Sequence, residues 1–174
     1  MQHRISSGTI IEHEDHVLLV RHVKPGAYDF WVAPSGGVKG AETLEAAAVC
    51  DARKEAGVEV AIGELLYIEE CFNPECRTVK FWFAAQLTGG QLDWTHPEAA
   101  AEYITEAAWH PLASLNQLTV FPQMLTTRFV ADREAGFPSP IRLPAAGDDV
   151  LVMCRLRPTI ASISLRGIAA AFRA

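Results

Sequence analysis

The stretch "PSGGVKGAETLEAAAVCDARKEAGVEV", Pro34 to Val60, constrains this chain more than any other. Gly36 and Gly37 follow a strand-like run and precede a helix-forming run by a few residues. Glycines in such a turn let backbone carbonyls and amides approach a ligand, because no side chain stands in the way. From Thr43 to Ala56 the chain is alanine-rich and holds neither Gly nor Pro, so a helix is expected. Thr43 suits its N-cap and Gly57 the position just past its end. Ala46, Val49, Ala52 and Ala56 give it a narrow stripe of small apolar side chains for close packing on a sheet. Asp51, Lys54 and Glu55 stand at i, i+3 and i+4 and project from one face, with Glu42 and Glu45 near the helix start. A loop carbonyl facing helix carboxylates makes an oxygen-rich site, the chemistry that hard cations such as Mg²⁺ or Mn²⁺ prefer.

Around this segment the chain alternates between strand and helix signals. "SSGTIIEH" and "VLLVRHV" read as a hairpin, and "DFWVAP" as a third strand closed by Pro34. "VEVAIG", "ELLYIEECF" and "RTVKFWFAAQL" follow as strands; in the last, Phe81 and Phe83 share one face and Trp82 takes the other. "EYITEAAWH" gives a final strand, then "PLASLNQL" and "FPQMLTTRFVADREAG" read as helical. Residues 136–174 differ: Pro-rich at first, then "VLVMCRL" as a strand and a terminal amphipathic helix carrying Ile160, Ile163, Ile168 and Phe172. The expected architecture is a mixed sheet with few helices, of α+β or α/β/α type.

The loop and helix resemble the Nudix box of the Nudix hydrolases. That pattern runs glycine, five residues, glutamate, seven residues, then Arg-Glu-apolar-any-Glu-Glu-any-Gly-apolar. Gly36, Glu42, Ala52, Glu55, Gly57 and Val58 match it at the right spacing. "FWVAPSGGVKGAETLEAAAV" resembles the family's approach to the box, and "EAAWHPLASL" its late strand and short helix. The resemblance spans about residues 5–135. It implies a Nudix fold, a mixed β-sheet sandwiched between helices (α/β/α), over 1–135, with residues 136–174 as a C-terminal extension packing on the body or on a partner subunit. It also implies hydrolysis of a diphosphate linkage in a nucleoside-diphosphate compound, with Mg²⁺ or Mn²⁺ as cofactor. By resemblance, Gly36 (through its carbonyl), Asp51 and Glu55 are metal ligands, and Asp51 and Glu55 are the catalytic pair. Arg21, Gly37 and Lys54 are candidates for substrate binding, and one of Glu98, Glu102 or Glu106 is expected to join the site.

Three box positions depart from the pattern. Cys50 stands for arginine, Asp51 for glutamate and Lys54 for glutamate. Asp51 is one methylene shorter, and a misplacement of about 1 Å can cost roughly 100-fold in rate. Lys54 exchanges a ligand for a cation; at about 5 Å and an effective dielectric of about 20, two unit charges interact by roughly 3 kcal/mol. Two outcomes therefore stand side by side: a working pyrophosphohydrolase, or a Nudix-fold module that binds a nucleotide or partner without turnover.

Charge narrows the partners. The formal net charge of −6 argues against non-specific nucleic-acid binding, which needs basic surfaces. It is uneven: residues 1–135 hold 10 Lys/Arg against 19 Asp/Glu, residues 136–174 hold 5 against 2. A basic tail on an acidic body suggests either that it folds back or that it meets a second copy, which would make a homodimer. No apolar run has the length of a membrane span, and no leader-like segment opens the sequence, so the expectation is a cytoplasmic protein. Cys71 and Cys76 flank "FNPE", a hairpin turn that would set them across from each other, although reduced thiols fit that compartment better. Alternation sends one of Glu69 and Glu70 toward the cleft. Tyr28, Trp31, Phe81, Trp82 and Phe83 read as packing residues, and His96 and His110 as structural.

Overall fold

The computed structural model describes residues 1–146. Its core is a nine-stranded mixed sheet in the order β8-β3-β2-β1-β6-β5-β9, with β4 paired to β1 and β7 to β2. In chain order these are β1 Gln2–His13, β2 His16–Lys24, β3 Tyr28–Val32, β4 Ser35–Gly37, β5 Val58–Phe72, β6 Cys76–Gly90, β7 Ile104–Pro111, β8 Val120–Phe121 and β9 Ile141–Arg142. The helices are α1 Leu44–Ala56, α2 Pro97–Ala101, α3 Met124–Thr127 and α4 Phe129–Glu134, with a 3₁₀ turn at Leu112–Gln117. Helices packed around a mixed sheet give the expected α/β arrangement. The strand-plus-helix reading beyond Ala146 lies outside the described residues; β9, from the same extension, adds to the edge of β5 in parallel, Tyr67 opposite Ile141.

Val17, Leu18, Leu19 and Val20 are all fully buried in β2, a continuous apolar run as expected of a strand covered on both faces. β1 runs parallel to β6, from Gln2 opposite Cys76 to Ile11 opposite Ala85, and antiparallel to β4, with Ser7 opposite Gly36. Through β1, the glycine turn is therefore tied to β6. Gly8 makes that junction possible: a Cβ there would stand 2.5 Å from the Trp82 ring and 2.6 Å from Ser35 Cβ.

"VEVAIG" and "ELLYIEECF" prove to be one strand. β5 runs through Gly63, and its register against β6 shifts between Ile62 and Leu65 and again before Tyr67. A glycine inside a strand marks a bulge more readily than an end. The late helical segment divides into α3 and α4 at Arg128, whose φ of −146° is not helical. In the β5–β6 turn, Asn73 Oδ1 accepts from the amides of Glu75 and Cys76. Cys71 stands opposite Thr78 rather than Cys76, and no disulfide joins the two cysteines.

Candidate metal and substrate site

Helix α1 forms as its caps dictate. Thr43 Oγ1 accepts from Ala46 N at 3.2 Å, and Gly57 closes the helix in the left-handed region at φ 73°. Its buried face is Ala47, Ala48, Asp51, Ala52, Glu55 and Ala56, with Ala46 exposed and Val49 half-buried, so the apolar stripe is rotated from the expected one. The rotation follows from the small residues: Ala48, Ala52 and Ala56, all at 0% exposure, let the helix lie close on the sheet. It carries Asp51 and Glu55 into the protein, 6% and 3% exposed.

Glu55 is fixed by the turn it faces. Its Oε2 accepts from the backbone amide of Ser35 at 3.0 Å, one residue before Gly36. The helix carboxylate and the glycine turn thus meet, and Asp51 lies one helical turn earlier on the same buried edge. Carboxylates 51 and 55 and the Gly36 carbonyl would offer the all-oxygen chemistry that suits Mg²⁺ or Mn²⁺, which typically bind through one or two carboxylates and take their remaining oxygens from water and substrate phosphates. Among the described residues, no group of three or more His, Cys, Asp or Glu side chains gathers into a metal cage.

Lys54 points elsewhere. Its Nζ donates to Glu98 Oε1 at 2.8 Å, and Lys39 reaches the other oxygen of Glu98 at 3.4 Å. The hydrogen bond raises the Lys54 pKa and lowers that of Glu98, so both stay charged and neutralise one another. The three late acidic candidates separate accordingly: Glu98 joins α2 to α1 through Lys54, Glu106 meets Arg21 at 3.4 Å, and Glu102 lines a cavity.

That cavity lies beside the turn. It is lined by Ser35, Gly36, Arg4, Ser6, Lys80, Thr78, Glu69, Cys71, His22, Glu102, Val32, Phe121 and Pro122. Register explains the convergence: Ser6 of β1 stands opposite Lys80 of β6, which stands opposite Glu69 of β5. Lys80 is 7% exposed, lies 4.8 Å from the Trp82 ring centroid and donates to Ser35 Oγ at 3.2 Å. Burial pushes its pKa below the ordinary lysine value, the attraction of Glu69 notwithstanding. Trp82 Nε1 donates to Glu69 Oε2 at 2.9 Å.

The sequence pattern described as NUDIX domain matches residues 2–128 of this chain. The chain belongs to the NUDIX domain family. Human 8-oxo-dGDP phosphatase NUDT18 is 36% identical over 105 residues, 60% of this chain and 31% of the relative, so the match spans about a third of the length of that curated protein. The NUDIX hydrolase of Nitrosomonas europaea superposes with a TM-score of 0.66 at 20% identity, covering 85% of this chain and 81% of the other. The E. coli ORF135 protein gives 0.63 at 19%, covering 80% and 96%. These two likenesses are of fold.

Within the NUDIX frame, Glu55 reaches the turn that carries Gly36 and Gly37 through the Ser35 amide, and Asp51 lies one helical turn earlier on the buried face of α1. Arg4 stands over Gly37, where a Cβ would lie 3.2 Å from its Nε. Arg21 is not among the residues lining the cavity; its guanidinium forks onto Asp29 with two 2.9 Å hydrogen bonds and lies 5.8 Å from the Trp31 ring centroid. Glu69 takes the cavity side, while Glu70 pairs with Arg77 and Arg142. His96 caps α2 by accepting from Glu98 N, and His110 meets Trp31 edge-on at 4.2 Å. Sequence reasoning missed Arg4 and Lys80. The available signal for Lys80 was alternation, which puts it on the Trp82 face of β6.

Proposed function

We propose that this chain hydrolyses a diphosphate linkage in a nucleoside-diphosphate compound, using Mg²⁺ or Mn²⁺ held by the Gly36 carbonyl, Asp51 and Glu55. The observation that carries the reading is the 3.0 Å hydrogen bond from Ser35 N to Glu55 Oε2, which joins helix to turn beside Gly36. A bound divalent ion supplies neutralisation of phosphate charge and acidification of a water. The chain's own residues do the rest. Ser35 orients the Glu55 carboxylate, Asp51 offers a second carboxylate for ligation or proton acceptance, and the Gly37 backbone leaves room for a phosphate. Arg4, over Gly37, is placed to balance substrate charge, while Arg21 is left to Asp29 and Glu106.

The pairing of Lys54 with Glu98 favours turnover over mere binding, since its charge is balanced before any ion enters. The name 8-oxo-dGDP phosphatase, carried by the human relative, supports a nucleoside diphosphate as substrate. The test is incubation with GDP, 8-oxo-dGDP and ADP-ribose, with Mg²⁺, Mn²⁺ or chelator, and chromatography of the products. Metal-dependent release of a nucleoside monophosphate, lost in Glu55→Gln, is the expected result. Silence with every substrate and metal would leave a binding module instead.

A further inference from the structure

Among the described residues, Lys80 is the one lysine or arginine more than nine-tenths buried, and the proposed hydrolysis leaves it without a task. It stands in a line of contacts that runs from β5 to the glycine turn. Trp82, fully buried, is pinned where its Nε1 donates to Glu69 Oε2 at 2.9 Å. The Lys80 ammonium lies 4.8 Å from the centroid of that ring and donates to Ser35 Oγ at 3.2 Å. Ser35 N then donates to Glu55 Oε2 at 3.0 Å. One residue thus takes a hydrogen bond from β6 with its side chain and gives one to α1 with its backbone. A lysine on its flexible stem is a poor anchor at a surface. Here burial and the Trp82 face remove that freedom, so the ammonium can hold a hydroxyl in place. β4 is three residues long and pairs with β1, and Lys80 gives it a second tie, to β6.

We infer that Lys80 is a positioning residue for the ion site: by holding Ser35 Oγ it fixes the turn that aims the Glu55 carboxylate and carries the Gly36 carbonyl. The inference rests on the reading of Gly36, Asp51 and Glu55 as the ion's ligands. Lys80 acts through Ser35 and touches neither ion nor substrate. Ligand atoms need to be held to within roughly 0.5 Å, and loss of a supporting partner costs about 10–100-fold in metal affinity. The charge of Lys80 acts in the opposite sense, because a cation repels a cation and its removal would tighten ion binding. The sign of the effect therefore separates the two roles.

The experiment is Mn²⁺ titration, followed by electron paramagnetic resonance, of the full chain as wild type, Lys80→Met, Ser35→Ala and the double variant. Ser35→Ala removes the same hydrogen bond from its other end and keeps the amide that holds Glu55. Each single substitution is expected to weaken Mn²⁺ binding about tenfold, and the double variant by the same factor, because both break one contact. Amide hydrogen exchange in metal-free protein gives a second readout. Ser35 N–H is expected to exchange at least about tenfold faster in Lys80→Met, with residues 17–20 of β2 unchanged or slower. Unchanged or tighter Mn²⁺ binding in Lys80→Met would overturn the inference. So would losses that multiply to about 100-fold in the double variant, or faster exchange in β2 as well as at Ser35. Any of these in a wild type that binds Mn²⁺ sinks this inference alone; a wild type that binds none sinks the ion site with it.

Discussion

Two lysines decide most of what is particular to this site. Lys54 occupies a position where the family pattern has a carboxylate, and the sequence alone makes it a cation facing a cation site. The fold resolves the conflict with Glu98, which α2 brings within 2.8 Å. Because that pair is partly exposed, its net worth is small, about 1 kcal/mol or less. Lys54→Met is therefore expected to change Mn²⁺ affinity by less than about fivefold; a gain of 100-fold would mean that the lysine opposes the ion directly. Lys80 was passed over for a different reason. Alternation puts the lysine of "TVKFWF" on the Trp82 face, and the joint register of β1, β6 and β5 shows that face covered. Since desolvation outweighs the pull of Glu69, its charge costs stability. Lys80→Met removes that desolvation cost and is therefore expected to stabilise the folded protein at neutral pH. Between the lowered folded pKa and 10.5 the unfolded chain binds the extra proton, so wild-type stability rises with pH across that window. The advantage of Lys80→Met in urea titrations is expected to shrink as pH approaches 10.5, and a constant gap would contradict the assignment.

At the scale of elements, the helix and the glycine turn were readable because each is locally encoded. Thr43 and Gly57 cap α1 where propensity places its ends, and the spacing of Gly36, Asp51 and Glu55 is what carries the proposed ion site. The rotation of the helix was not readable, since five alanines make several faces equally apolar until the sheet chooses one. Nor was the continuity of β5, because Gly63 ends a strand and bulges one with the same letter. The junction of β1, β4 and β6 depends on Gly8, where Trp82 and Ser35 leave no space for a methyl group. Gly8→Ala is expected to cost about 1–3 kcal/mol by overpacking. It is also expected to lower Mn²⁺ affinity, because moving Ser35 loosens its hold on Glu55. Calorimetry and metal titration check the two effects separately; stability lost with metal affinity intact would show that the turn is held by something other than β1.

Over the whole molecule, the site is assembled from segments far apart in the chain: the turn after β3, the second half of α1, the middle of β6 and the helix α2. The NUDIX pattern made the first two visible, and the proposed ion site rests on them. The cavity beside them needs the parallel pairing of β1 with β6, a non-local contact that no short motif announces. No helix among the described residues is long and apolar enough to cross a membrane. The central claim is that the Gly36 turn and the α1 carboxylates grip one divalent ion. Mn²⁺ titration followed by electron paramagnetic resonance tests it without any substrate. Wild-type protein is expected to bind one Mn²⁺, and Glu55→Gln to weaken binding by at least the roughly 10–100-fold that loss of even a supporting partner costs. Equal Mn²⁺ binding by wild type and Glu55→Gln, or none by wild type, would contradict the account.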